Sequence, residues 1–210
     1  MKKVTPDEID AILPQTQCKK CGHDCCRDYA KAIAEGAPIN RCPTGGEKGI
    51  RRLSRLTGKA YIPLNPQYGQ ERPRHIAVIE EPLCIGCRLC IKACPVDAII
   101  GTNGFSHTIL PLKCTGCDLC VPACPVDCII MKNASGHKTG WNAWSLMQAD
   151  RARTDFERRQ KRVKHEETRE HIRLEALAKT GAVGDKKKST VFSAMEKARA
   201  KASKKTDPVF

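Results

Sequence analysis

One 17-residue phrase occurs twice in this chain, as CIGCRLCIKACPVDAII from Cys84 to Ile100 and CTGCDLCVPACPVDCII from Cys114 to Ile130, with 12 positions identical. Each copy spaces its cysteines C-x2-C-x2-C-x3-C-P, the run that ligates [4Fe–4S] clusters. A lone C-x2-C is shared with zinc and thiol-redox sites. A tandem pair with both prolines in place is far more specific. The first three cysteines of each copy sit on a tight loop that wraps one face of a cubane, and the fourth points away, toward the cluster of the other copy. The pattern therefore assigns Cys84, Cys87, Cys90 and Cys124 to one cluster, and Cys94, Cys114, Cys117 and Cys120 to a second. This crossover fastens the copies into one pseudo-symmetric unit and keeps two one-electron centres close together.

Such crosslinks matter because little else can hold this chain. Only 4% of its 210 residues are aromatic and 29% are charged, so a large apolar core is not expected. With 14 cysteines, metal binding becomes part of folding. A disulfide framework suits small secreted domains, whereas free thiols in this spacing suit a reducing cytosol. The segment from Met1 to Cys18 lacks the apolar stretch of a secretory signal. Apolar runs such as Ile76–Ile79 and Cys128–Met131 reach four residues, against the roughly 20 that a spanning helix needs. A soluble, cytoplasmic protein without a transmembrane segment is expected.

Around the duplicated loops the pattern predicts a bacterial ferredoxin-like 2[4Fe-4S] domain over residues 76–135. Gly86 and Gly116 occupy the same slot in each loop, where a side chain would obstruct the backbone's approach to sulfide. Ile76–Ile79 and Thr108–Leu112 read as short strands, with a turn near Asn103–Gly104. The fourth cysteine of each copy, followed by Pro95 or Pro125, is expected to start a short helix or turn. Ile85, Leu89, Ile91, Ile99, Ile100, Leu119, Val121, Ile129 and Ile130 are candidates for a water-excluding shell. Cys128 takes the place of Ala98 in the other copy and reads as a small buried hydrophobe. The six histidines (His23, His75, His107, His137, His165 and His171) lack ligand spacing and read as surface residues.

A second cysteine set lies near the N-terminus. Cys18, Cys21, Cys26 and Cys42 make C-x2-C-x4-C-x15-C, again with proline after the last. Four thiolates suit zinc as well as iron–sulfur, and spacing alone leaves Cys25 competing with Cys26 for the third position. The flanks read as helices. Thr5-Pro6-Asp7-Glu8 is a capping box opening a helix to about Leu13. A second helix runs from Cys26 to Glu35 and a third from Gly46 to Leu56. Residues 1–60 thus form a small helical four-cysteine domain, and 61–75 a proline-containing linker.

The stretch QCKKCGHDCCRDYAKAIAEGAPINRCPTGG, followed by a proline-bearing linker and the duplicated loops, resembles the B subunit of Rnf-type (Rsx) electron-transport complexes. The likeness spans about Pro6 to Lys132. In that family the third N-terminal ligand precedes an Arg-x-Tyr-Ala segment, which maps it onto Cys26, ahead of Arg27, Tyr29 and Ala30. The resemblance implies a third [4Fe–4S] cluster on Cys18, Cys21, Cys26 and Cys42. It also implies electron exchange with ferredoxin inside a redox-driven, NAD-linked ion pump. Family members usually begin with a membrane-spanning helix, so this chain reads as a soluble variant, peripheral on the cytoplasmic face of the inner membrane.

Residues 136–210 read as a basic, largely helical extension, with a net charge of +8 over residues 141–210. A long helix is expected from Trp141 to about Lys179, its first turns docking Trp141 and Trp144 onto the ferredoxin module. A basic break follows at Gly181–Lys188, then a second helix at Val191–Lys205. The charge suits docking to acidic redox proteins such as ferredoxin or flavodoxin, or to other subunits of a membrane electron-transport complex. No catalytic triad, phosphate loop or dinucleotide fingerprint is present. The chain therefore reads as an α+β electron carrier rather than a catalyst by itself. A nucleic-acid-associated protein, with structural clusters and a phosphate-binding tail, is the rival class.

Overall fold

The computed structural model describes residues 4–179; the break at Gly181–Lys188 and the helix at Val191–Lys205 lie outside them. The chain divides into two compact units, the first running to Arg159 and the second starting at Gln160. The first unit is a mixture of short helices and two small sheets.

Helix α1 (Pro6–Ala11) begins with its full capping box. The Thr5 hydroxyl accepts from the Glu8 N–H at 3.3 Å, and the Glu8 carboxylate accepts from the Thr5 N–H at 2.8 Å. Helix α2 (Cys26–Ala34) packs against α1, and α3 (Gly46–Thr57) closes on Gly58 in the left-handed conformation. Ile9, Leu13, Tyr29, Ala30, Ile33, Ile39, Ile50 and Leu53 form the core of this helical part. The Tyr29 hydroxyl donates to the Pro38 carbonyl and accepts from the Arg41 N–H, both at 3.0 Å, which pins the loop that carries Cys42.

Beyond a turn of 3-10 helix at Pro66–Tyr68, strand β1 (His75–Ile79) opens the duplicated part. Helix α4 (Leu89–Ala93), strands β2 (Ile99–Ile100) and β3 (Thr108–Ile109), and strand β4 (Ile129–Asn133) follow. Pairing is antiparallel, β1 with β4 from His75 opposite Asn133 to Ile79 opposite Ile129. The second pair sets Ile99 opposite Ile109. The backbone repeats with the sequence: Gly86 and Gly116 both have φ +69°, Arg88 and Asp118 both +64°, and Asp97 and Asp127 +50° and +48°.

A turn follows the fourth cysteine of each copy, at Pro95–Val96 and Pro125–Val126, as expected. Helix α4 is an addition that precedes Cys94, and only the first copy has it. Pro95 biases Cys94 out of the helical region, and Cys94 sits at ψ 120°. The apolar shell is also partial. Ile99 and Ile129 are buried with Val96, Ala77 and Ala98, whereas Ile85, Leu89, Ile100 and Ile130 are exposed.

Helix α5 (Leu146–Lys179) starts later than predicted. Trp141 and Trp144 lie ahead of it, in and just after a 3-10 turn at Gly140–Ala143. Trp141 is buried against the helical part rather than the ferredoxin-like part. Its backbone N–H donates to the Gly45 carbonyl at 3.1 Å, and the Arg52 guanidinium lies 4.1 Å from its ring centroid. Gly49 makes the room, since a Cβ there would approach the indole to 3.1 Å. Trp144 stacks under Arg74 at 5.3 Å, at the end of the linker.

The start of α5 then braces both parts of the unit. Arg153 donates through Nε to the buried Asp10 carboxylate and through Nη2 to the Asp10 carbonyl, each at 2.9 Å. Lys113 pairs with buried Asp155 at 3.4 Å. Removing Arg153 leaves a buried carboxylate without its cation, a loss that typically costs 3–5 kcal/mol. Arg153→Ala is expected to lower unfolding stability by about 3 kcal/mol, read as a denaturant midpoint under anaerobic conditions. Arg158→Ala, which removes an exposed guanidinium from Asp155 while Lys113 stays in place, is expected to change it by about 0.5 kcal/mol or less.

In the second unit, the α5 residues from Gln160 are mostly exposed and carry charge pairs one turn apart. Arg162–Glu166 lies at 2.8 Å and His171–Glu175 at 2.9 Å. No helix among the described residues is long and apolar enough to cross a membrane.

Candidate iron–sulfur centres

Three groups of thiols stand out in the first unit. In the N-terminal group, Cys18 Sγ and Cys42 Sγ flank the Thr44 hydroxyl at 3.7 and 3.6 Å. Burial, with the neighbouring Cys42, Cys18 and Cys21, raises the Cys26 thiol well above the usual range. Burial with Cys18 and Cys21 close by likewise pushes Cys42 up to about 12. Cys18, Cys21, Cys26 and Cys42 therefore face one another. The Gly45 N–H donates to Cys42 Sγ at 3.3 Å.

Cys25 does not join them. Its thiol turns outward and donates to the Asp28 carboxylate at 3.1 Å. Burial and that carboxylate hold it at about 11. The two adjacent side chains part because α2 begins between them. Cys25 is the extended N-cap and Cys26 the first helical residue, whose N–H is anchored on the Gln17 side chain at 3.0 Å. Gln17 in turn donates to Gln15 at 2.8 Å, and Gln15 to the Asp10 carbonyl at 2.7 Å. A chain of buried amides thus fixes the loop around Cys18, with Gln15, Gln17 and Lys19 all at positive φ.

The second group joins Cys94 to Cys114, Cys117 and Cys120. All four line one cavity with Ala77, Val96, Ala98 and Ile109. Cys117 and Cys120 are each pushed up to about 12, chiefly by burial, with Cys94 and Cys114 among their charged neighbours. Cys94 thus lies with the loop of the other copy. Backbone donors face these sulfurs, the Ala77 N–H at 3.4 Å from Cys114 Sγ and the Ala98 N–H at 3.2 Å from Cys94 Sγ. Gly116 can only be glycine, because a Cβ would collide with the His75 carbonyl.

The third group holds Cys84, Cys87 and Cys90; burial, with Cys84 and Cys87 close by, raises the Cys90 thiol. Cys124 approaches it through Cys128, whose Sγ lies 3.4 Å from Cys124 Sγ and also neighbours Cys84. Burial drives Cys128 up to about 12, so it stays a thiol. For Cys124, burial is outweighed by the N–H groups of Val126 and Cys128 and by the Cys128 thiol, and its pKa falls.

One residue here escaped the sequence reading. His107 is buried, not on the surface, and its Nδ1 lies 3.4 Å from Cys90 Sγ and 3.8 Å from Cys84 Sγ. Gly101 accommodates its ring, since a Cβ there would run into it.

The donor set fits [4Fe–4S] clusters: four thiols converge in each of the first two groups, backbone N–H groups point at sulfur, and glycines sit where the loops close. Among the described residues, no three His, Cys, Asp or Glu side chains gather into a site for a single metal ion.

The fold and these centres define an iron–sulfur protein with a ferredoxin-like dicluster domain. Residues 77–131 match the family described as 4Fe-4S dicluster domain, and residues 13–44 the one described as Putative Fe-S cluster. The chain resembles curated proteins named as the B subunit of an ion-translocating oxidoreductase complex. That of Azoarcus sp. (strain BH72) is 56% identical over 105 residues, covering 50% of this chain and 57% of the relative. That of Thiobacillus denitrificans is 56% identical over 105 residues, covering 50% and 56%. The Hahella chejuensis protein is 50% identical over 104 residues, covering 50% and 53%. The chain spans about half the length of the curated relatives it matches. The likeness drawn from the cysteine pattern is therefore to the same proteins that carry this name.

Proposed function

We propose that this chain relays single electrons through three [4Fe–4S] clusters and exchanges them with a ferredoxin-type protein as part of an ion-translocating oxidoreductase complex. The N-terminal cluster is held by Cys18, Cys21, Cys26 and Cys42, and a middle one by Cys94, Cys114, Cys117 and Cys120. A distal cluster is held by Cys84, Cys87, Cys90 and Cys124. The observation that carries the reading is the company Cys94 keeps: it lies with the thiols of the other copy, the crossover of two-cluster ferredoxins. Bound clusters supply one-electron storage; the chain's residues hold them, exclude water and fix their order.

That order follows from contacts between loops. Thr115, inside the Cys114–Cys117 loop, donates to the Thr16 carbonyl at 2.9 Å, two residues before Cys18. Lys20 pairs with Asp118 across the same junction at 2.7 Å. The N-terminal thiols thus neighbour the middle group, and the middle group shares one apolar core with the distal group. A sequence of N-terminal, middle and distal centres supports stepwise transfer. Nothing in the fold or in the relatives' names favours the nucleic-acid reading. We place the protein on the cytoplasmic side of the membrane, where the other components of the complex and soluble ferredoxin meet.

Mixing the anaerobic, oxidised chain with a reduced low-potential ferredoxin tests the relay. Rapid bleaching of its visible absorbance, reversed by an oxidised acceptor, is expected. Clusters that are present and stay oxidised in that mixture would contradict it.

A further inference from the structure

Besides Thr115 in the slot of Ile85, the two copies differ at two places that matter for sulfur. Ala77 and His107 each stand seven residues before the first cysteine of a loop, and Ala98 and Cys128 each stand four residues after a fourth cysteine. The backbone donors are matched: Ala98 N–H serves Cys94, and Cys128 N–H serves Cys124. Side-chain donors are not. Alanine offers none to the middle group, and the Thr115 hydroxyl, which stands beside Cys117 in the slot of Ile85, gives its proton to the Thr16 carbonyl. His107 Nδ1 reaches Cys90 Sγ at 3.4 Å, and Cys128 Sγ reaches Cys124 Sγ at 3.4 Å, so both extra donors fall on the distal group. The other ring nitrogen of His107, Nε2, is buried without a hydrogen-bond partner, so the ring's polar contacts all lie on the sulfur side.

We propose that His107 and Cys128 are positioning residues that raise the reduction potential of the distal cluster above that of the middle one. Beside a ligating thiolate, which can only accept, Nδ1 must carry its proton and Cys128 must donate its S–H. Reduction adds negative charge to the cluster and its thiolates, so each donor stabilises the reduced form more than the oxidised one. Hydrogen bonds to sulfur are a recognised determinant of cluster potential. An electron entering the dicluster part then rests on the distal centre. Exposed Leu83, Ile85 and Phe105 surround that centre's loop, with the Gly104 N–H bonded to the Gly86 carbonyl.

The inference rests on the cluster reading above, and one set of samples separates the two. Iron and acid-labile sulfide are counted in the full anaerobic chain and in His107→Ala, His107→Asn and Cys128→Ala, each then titrated with EPR detection. Each alanine variant is expected to lower the potential of the same single cluster, the one that Cys84→Ala abolishes. The expected size is about tenfold in its one-electron equilibrium, about 59 mV. His107→Asn keeps a side-chain N–H and should recover part of the shift. Unchanged potentials in variants with full iron would overturn the proposal, as would shifts of different clusters by the two alanine variants. If His107→Ala loses iron, His107→Asn and Cys128→Ala decide by the same criteria. An unaltered chain without clusters contradicts the cluster reading itself, and this inference with it.

Discussion

Cys26→Ala is expected to remove about four of about twelve irons from the anaerobically purified chain, whereas Cys25→Ala leaves the iron content unchanged. The two residues are adjacent, so the contrast is severe, and it comes from one turn of backbone. Cys25 is the extended residue before α2, with its thiol on Asp28; Cys26 is the first residue of the helix, with its sulfur among Cys18, Cys21 and Cys42. Losing the Cys25–Asp28 hydrogen bond is expected to cost about 1 kcal/mol of stability. Losing Cys26 removes a metal crosslink that is itself part of folding. Equal iron loss from both variants would contradict the assignment.

The second large effect concerns the crossover. Cys94→Ala is expected to abolish the same EPR signal as Cys114→Ala, even though Cys94 belongs by sequence to the first copy. Cys124→Ala should match Cys84→Ala. Pairing the substitutions sharpens the result, because residues acting through one shared group are strongly non-additive. Cys94→Ala with Cys114→Ala should lose no more iron than either alone, about four atoms. Cys94→Ala with Cys84→Ala should lose about eight. The reverse pattern would mean that each copy closes on its own cluster.

Much of this site was legible before any coordinates, for a definite reason. Ligand spacing on a tight loop is a local property, and the duplication makes the two loops check each other, down to φ +69° at both Gly86 and Gly116. Helix α1 was legible through its capping box, and α3 through its apolar periodicity between Gly46 and Leu56. What sequence could not resolve depended on distant packing. A single histidine with no partner at ligand spacing reads as surface, and His107 is buried only because Gly101 and the Cys84–Cys90 loop enclose it. The signal was nonetheless present: aligning the copies through their first cysteines sets His107 against Ala77, a buried position. Trp141 was expected on the ferredoxin-like part, but the gap that receives it is Gly49 on α3, 92 residues earlier. The start of α2 at Cys26 was legible, and the family likeness pointed to the same residue, whereas cysteine spacing alone left Cys25 and Cys26 open.

The most direct measurement is iron, zinc and acid-labile sulfide content of the full chain purified without oxygen, with EPR of the reduced protein. Three clusters predict about twelve irons and about twelve sulfides per chain, no zinc, and a brown solution with low-temperature signals. About eight irons and one zinc would confine electron transfer to the duplicated loops. A folded, colourless protein without inorganic sulfide would contradict the reading altogether.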